Sequence, residues 1–361
     1  LAAVTIDDAS TVTVSSGFDA ASFTQTTGTG LTTLNGALTT AGNVDITATG
    51  VTVNQGITTS ADGTVSLEAG TGALTIAGDG DIGADGAVSL FGDAGIATAG
   101  SVTTTADAIT FNDATTLTGD VLLDTGAGAG TVTFATTLAG TQSLGITAGT
   151  GAIDFDNTVG AGTALGAVTL TSAGNVTADN TFTAASLTQS AGTGTTTFDG
   201  ALTATTGNVL ITTNAIVLNA LVDTVTAGAG GTVTLNADTG ALTIASTGDI
   251  DADGLVDLTA ATGISTAGNI TTTGDNIDFN SAVSLTSAVD LITADGNVAF
   301  DSTIDGAQNL DISAGAGTIT FTGVVGGTTD LAAVTIDDAS TVTVSSGFDA
   351  ASFTQTTGTG L

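Results

Sequence analysis

The sequence predicts an all-β chain folded as a parallel β-solenoid, with one turn for about every 20–21 residues. Three observations lead there. Short apolar–x–apolar triplets recur sixteen times in 330 residues, one per 20.6. Runs of Gly, Asn, Asp and Ser separate them, as turns require. The chain contains no proline, which suits strands that must donate to a neighbour along their whole length.

The triplets justify the elements in order. The first half supplies VTI 4–6, ASF 21–23, VDI 44–46, VSL 65–67, VSL 88–90, ITF 109–111, VTF 132–134 and IDF 153–155. The second supplies VTL 168–170, ASL 185–187, VLI 209–211, VTL 233–235, VDL 256–258, IDF 277–279, VAF 298–300 and ITF 319–321. Each alternates with period two, the signature of a strand with one buried face. Their third residues form a column ending in Phe111, Phe134 and Phe155 in one half, and in Phe279, Phe300 and Phe321 in the other. A row of rings can serve as a platform for a carbohydrate. At one ring per strand spacing of ~4.8 Å, a stacked core ladder is the expected arrangement. One turn is too small to bury its own apolar face, and stacking buries it. With eight turns in each half, sixteen turns would advance ~77 Å per 330 residues.

Longer repeats set the organisation. LAAVTI at 1–6 returns as LGAVTL at 165–170, and GTVSLEAGTGALTIAGDGDI at 63–82 returns as GTVTLNADTGALTIASTGDI at 231–250. Residues 331–361 repeat residues 1–31 letter for letter. The expected divisions are therefore a half-repeat 1–164, a half-repeat 165–330, and the start of the next 330-residue repeat at 331–361. Such a seam leads us to expect a stretch of a longer tandem array, in which an edge is avoided by continuing. The natural N-terminus and any export signal are expected outside it, since no signal-peptide pattern is visible.

Composition narrows the function. Thirty-five acidic residues, of which only Glu68 is Glu, stand against no Lys, Arg or His, for a net charge of −35. Nucleic-acid binding draws its affinity from Lys and Arg and is not expected. Membrane insertion is not expected either, because no apolar run reaches the ~18 residues of a spanning helix. The absence of cysteine rules out disulfides and thiolate metal sites.

The runs GNVDITATGVTV at 42–53, GALTIAGDGDI at 72–82 and AGNITTTGDNIDF at 267–279 resemble the repeat arrays of large exported bacterial β-helix proteins of the filamentous-haemagglutinin type. The resemblance covers the whole chain and is one of style. It implies a right-handed β-helix, a bacterial surface or secreted protein, and service as a fibre or adhesin.

No enzyme is expected. Ser and Thr have no histidine to activate them. GAGAG at 126–130 lacks the lysine and following helix of a phosphate loop and reads as a turn. A pair of carboxylates can cleave a glycosidic bond, but Asp7–Asp8 read as solvated turn acids and recur at Asp337–Asp338. An ice-binding face wants Thr at two fixed places on successive turns. LTT 31–33, VTV 51–53 and LTI 74–76 do not keep two such places.

The sharpest local candidate is a calcium site in STGDIDADG at 246–254. Asp249, Asp251 and Asp253, followed by Gly254, are expected to set three carboxylates on one side of a tight loop. The first half keeps Asp81 and Asp85 but has Gly83 in the middle, with Asp79 near. Ala260 stands where an EF-hand would close its shell, so this is no EF-hand. The competing reading is plain turn formation.

Two functional expectations follow. One is a structural protein, a long, acidic, protease-resistant extracellular or cell-surface rod built of tandem repeats. Its partners are neighbouring repeats of the same chain, and like rods bundled through divalent cations. The alternative is the repetitive stalk of a giant adhesin.

Overall fold

The computed structural model describes residues 1–225 and 230–358, and the chain divides into two compact units, Leu1–Ala184 and Ala185–Leu361. The sequence boundary at 164/165 lies twenty residues before the packing boundary. Both units are parallel β-solenoids, and no helix among the described residues is long and apolar enough to cross a membrane.

In the first unit each turn contributes up to three short strands, which stack into three columns. The first column runs Val4–Asp7, Phe23–Thr26, Val44–Ala48, Val65–Ala69, Val88–Gly92, Ile109–Phe111, Val132–Phe134, Ile153–Phe155 and Val176–Ala178. Its eight steps cover 172 residues, or 21.5 per turn. The second column begins at Val12–Val14 and reaches Leu138–Gly140, followed by bridges at Val159 and Phe182. The third passes from Phe18–Ala20 to Leu144–Thr147 and Leu165–Ser172.

The second unit repeats the plan. One column holds Val209–Thr213, Val233–Ala237, Val256–Ala260, Ile277–Phe279, Val298–Phe300, Thr318–Phe321 and Thr341–Val344. The next holds Thr195–Phe198, Ala215–Leu218, Leu242–Ile244, Ile264–Thr266, Val283–Leu285 and Ile304–Asp305. The last holds Leu202–Ala204, Val222–Asp223, Ile250–Ala252, Ile270–Thr272, Val289–Thr293, Leu310–Ser313, Leu331–Asp338 and Ala350–Gln355.

Strand alternation decides which residues face inward. In Val44–Ala48 the residues Val44, Ile46 and Ala48 are buried, while Asp45 is exposed. Parallel register then puts like on like: Val44, Val65, Val88, Ile109 and Val132 share one inward row. Burying each such aliphatic side chain contributes about 1.5–3 kcal/mol, and the several in each turn together offset part of the backbone entropy of ordering it. The phenylalanines stack as expected. Phe111–Phe134 and Phe279–Phe300 have ring centroids 4.8 and 4.7 Å apart, with planes within 10° of parallel. Each ladder ends on an edge-to-face ring, Phe155 on Phe182 and Phe321 on Phe348.

The structure departs from the triplet reading in two respects. In the first turns the partner of Val4-Thr5-Ile6 is Phe23-Thr24-Gln25, so ASF 21–23 is two residues out of register. Gln25, in place of Phe23, occupies the third position of that row, between Ile6 and Ile46. ASL 185–187 errs likewise, since Gln189 pairs with Ile211. Both glutamines are fully buried, and each accepts a hydrogen bond at Oε1 from a buried threonine hydroxyl at 2.8 Å: Thr32 for Gln25, Thr196 for Gln189. Nε2 of Gln189 has no partner.

An orphaned buried donor costs more than a bond between two partners contributes. Gln189→Leu alone should therefore gain little, because it frees the hydroxyl of Thr196 in turn. Gln189→Leu with Thr196→Val should stabilise the second unit by about 1 kcal/mol relative to either single change. Urea unfolding of the four chains would check this; strict additivity would contradict it.

The second departure lies at the half-repeat seams. VTL 168–170 rests on Leu144-Gly145-Ile146 in the third column, not in the column of the other triplets. In the second unit VTI 334–336 likewise rests on Leu310-Asp311-Ile312. Only fifteen residues separate Phe155 from Leu170, enough for two sides of a turn. The triplet row thus moves by one face at each seam, and the first half advances about seven and two-thirds turns. Outward positions form rows as well. Thr13, Thr33, Thr52 and Thr75 share one register row, a single threonine column rather than the two of an ice-binding face.

Candidate functional site

Chemistry on these units must sit on outward positions and corners, because the interiors are filled. The corners are built from two devices. Inward threonines just before a corner donate to its carbonyls, as Thr98 does to Gly100 at 3.0 Å and Thr224 to Gly231 at 2.7 Å. Asn or Asp at the strand entrance accepts the backbone N–H of the following turn. Asn43 takes that of Thr64 at 3.0 Å and Asn208 that of Thr232 at 3.0 Å. Tight corners also need glycine at positive φ: Gly149 has φ 57°, and a Cβ there would stand 2.5 Å from the carbonyl carbon of Ala127.

Against that background the candidate calcium residues separate. Residues 250–252 form a strand, not a loop. Extended backbone spaces Asp249, Asp251 and Asp253 by ~6.6 Å from one to the next, so the tight three-carboxylate loop expected from D-x-D-x-D-G does not form. Asp249 is a corner staple, its Oδ1 accepting from Asn269 N–H at 2.7 Å. Asp81 does the same for Ser101 at 2.8 Å. Asp253 accepts from Gly230 N–H at 2.6 Å and from Thr273 Oγ1 at 2.9 Å. Asp85 accepts from Asp62 N–H at 2.8 Å and Thr105 Oγ1 at 2.9 Å, and these bonds hold its carboxyl below the ordinary aspartate value. Asp79 is exposed on its corner. Among the described residues, no group of three or more acidic side chains is arranged to hold a metal ion.

Asp251 lies in the middle of its strand and points outward. It stacks between Asp223 on one turn and Thr271 on the next, in a shallow groove that also includes Val225 and Thr273. Half-burial raises its pKa first, the charges of Asp223 and Asp249 add to that, and a hydrogen bond with Thr271 opposes it. The first unit carries the matching groove, lined by Thr59, Ser60, Gly83, Ala84, Asp85, Thr103 and Thr105, with the middle carboxylate missing.

The same pattern of like charge on like charge recurs. Asp257 faces Asp278, and Asp290 faces Asp311. Asp278 is raised by burial and then by Asp257 and Asp301; Asp311 by burial and then by Asp337 and Asp290. In the first unit burial raises Asp154, helped by Asp156 and Asp179. Oδ1 of Asp311 is buried without a partner.

The Asp7–Asp8 pair is engaged in turn geometry. Thr26 donates to Asp7, and Thr27 donates to Asp8 at 2.7 Å. In the second copy Asp338 instead accepts from Gly315 N–H at 2.9 Å and Ser313 Oγ at 2.8 Å, which lowers its pKa.

Staple and ligand roles make opposite demands. A staple needs one side-chain oxygen and no charge, so Asp249→Asn should be nearly silent. Asp249→Ala should cost about 1–2 kcal/mol, because Asn269 N–H loses its acceptor. Thermal melting in chelator and in calcium reads both. An asparagine variant that melts like the alanine one, and only in calcium, would contradict the staple. No family model matches the chain, and no curated protein and no solved structure matches it.

Proposed function

We infer that this chain is structural, a repetitive acidic filament element working outside the cell. The observation that carries the reading is the stacking of turn on turn to one plan within each unit. Turn after turn, the inward rows hold mainly Val, Ile, Leu and Phe, with a few buried Thr and two Gln, and the backbone of one turn is spent on the next. Such construction favours length and resistance to unfolding from within over a unique pocket. The want of Lys and Arg leaves trypsin no cleavage point, and the strand-bound backbone protects against less selective proteases. Stacked outward aspartates such as Asp257 and Asp278 supply the polyanionic faces through which divalent cations would bridge neighbouring filaments.

Proteinase K digestion followed over hours, with electron microscopy of the same sample, tests the reading. Slow digestion and extended particles that bundle in millimolar calcium are expected. Rapid loss of the chain, or turnover of an acidic polysaccharide by the purified protein, would overturn it.

A further inference from the structure

We propose that two copies of this chain meet side by side through the uncharged sheet face of the first unit. This deepens the structural reading above and rests on it, by naming a lateral partner and the face that receives it.

The face is the outward side of the second column. Parallel register stacks Thr33, Thr52, Thr75, Ala97, Thr116 and Ala139 into its middle row. A row on one side runs from Leu31 and Gly50 to Thr137, and a row on the other from Asn35 and Asn54 to Thr141. Over these six turns none of the three rows holds an acid. The neighbouring columns differ. The first turns Asp45, Glu68 and Asp154 outward, and the third turns Asp19 and Asp124 outward. The acids nearest the face stand at its rim. Asp79 and Asp120 are exposed on corners, and the carboxylate of Asp113 is turned back to accept from Gly92 N–H at 2.8 Å. In the second unit the matching row is uncharged from Thr197 through Val217, Thr243 and Ser265 to Ser284, and reaches an acid only at Asp305.

Charge decides the occupant. With thirty-five acids and no base, copies of this chain repel one another across their acidic faces. Contact costs least where no carboxylate must leave water. A basic partner would be drawn to the acidic faces, so the partner suited to this one is a second copy presenting the same neutral surface. The surface complements itself. Threonine and alanine methyls and the side chain of Leu31, 48% exposed, offer apolar contact. Threonine hydroxyls and the amides of Asn35 and Asn54 both donate and accept, as a twofold contact requires. Side chains this small bring the two sheets within the usual ~10 Å of each other. Six strands at ~4.8 Å by five residues at ~3.3 Å cover about 480 Å² on each copy, or about 1,000 Å² for the pair. That is the lower bound for a specific interface, so the association is weak and reversible.

Sedimentation equilibrium of the full chain in chelator tests this. A dimer that grows with concentration and needs no calcium is expected. Raising sodium chloride from about 20 to about 200 mM should tighten it at least tenfold, because salt screens the repulsion between the acidic faces. Thr75→Asp with Ala97→Asp sets two carboxylates at the centre of the face and should weaken dimerisation at least tenfold. Ser89→Asp with Thr110→Asp adds the same charge to neighbouring outward positions of the first column and should leave it within about twofold. All four positions point outward, so circular dichroism should be unchanged in both variants.

Three results would overturn the proposal. One is a chain that stays monomeric at every concentration and salt. Another is association that survives Thr75→Asp with Ala97→Asp, or that Ser89→Asp with Thr110→Asp weakens equally. The third is a monomer whose neutral face binds an uncharged polysaccharide instead. A monomer in chelator that still bundles in calcium and resists proteinase K would refute this face and leave the structural reading standing.

Discussion

Val132→Pro is expected to open the first unit locally and to cost about 3 kcal/mol more than Val132→Ala. Val132 is fully buried, and its strand is flanked on both sides, facing Ile109 on one turn and Ile153 on the next. Its N–H donates to Ala152 at 2.9 Å. Alanine removes only burial, worth roughly 2 kcal/mol. Proline also removes the donor, orphans the Ala152 carbonyl and presses its ring against the preceding backbone. In a solenoid each turn leans only on its neighbours, so the damage should stay near residues 109–155. Hydrogen exchange resolved by segment would show protection lost there and kept around Val44–Ala48. Equal exchange in the proline and alanine variants would mean that ladder bonding contributes little here.

Acidification from pH 7 to between about pH 4 and 5 is expected to raise the melting temperature. Asp154, Asp251, Asp278 and Asp311 have folded pKa values above the ordinary one, burial being the first cause in each. A group of this kind binds its proton more tightly folded than unfolded. Its charged form penalises the fold at neutral pH, and the penalty disappears as pH falls through the folded value toward the unfolded one near ~3.9. General repulsion among thirty-five acids without a base acts in the same direction. Asp85 and Asp338 act oppositely. Their hydrogen-bonded carboxylates contribute stability above the unfolded value, and that contribution is lost as pH drops through their depressed folded values. The melting temperature should therefore pass through a maximum on the acid side and fall below it. Asparagine at Asp154, Asp251, Asp278 and Asp311 together should flatten the rise and leave the fall. A melting temperature that only decreases from pH 7 downward, at fixed ionic strength, would contradict this assignment.

Much of the fold was legible because its governing period is simple. Alternation marked the inward residues of VDI 44–46 and VSL 65–67, and the three-phenylalanine runs stack as their spacing demands. What escaped has physical reasons. Gln25 and Gln189 are polar, so an apolar template passes over them for Phe23 and Leu187. The available signal was a threonine seven residues on in both halves, Thr32 and Thr196, to receive the amide oxygen. The change of face at each seam was written in the fifteen-residue gap from Phe155 to Leu170, against a usual twenty-one or more. Averaging over all spacings conceals it.

The aspartate motif misled for a different reason. D-x-D-x-D-G implies a loop only if the residues between the acids are free to turn, and here they are Ile250 and Ala252, both buried in a strand. The corner role of Asp249 is legible once Asn43, Asn208 and Asn269 are seen at equivalent strand entrances, each holding an N–H of the next turn.

X-ray diffraction from an oriented film of the purified chain tests most directly whether stacked turns are the basis of this molecule. Parallel strands stacked turn on turn within each unit require a strong meridional reflection at ~4.8 Å, sharpened as alignment improves and unchanged by calcium. A pattern without that meridional reflection, or one with the 4.8 Å spacing only on the equator, would contradict the stacked-turn account.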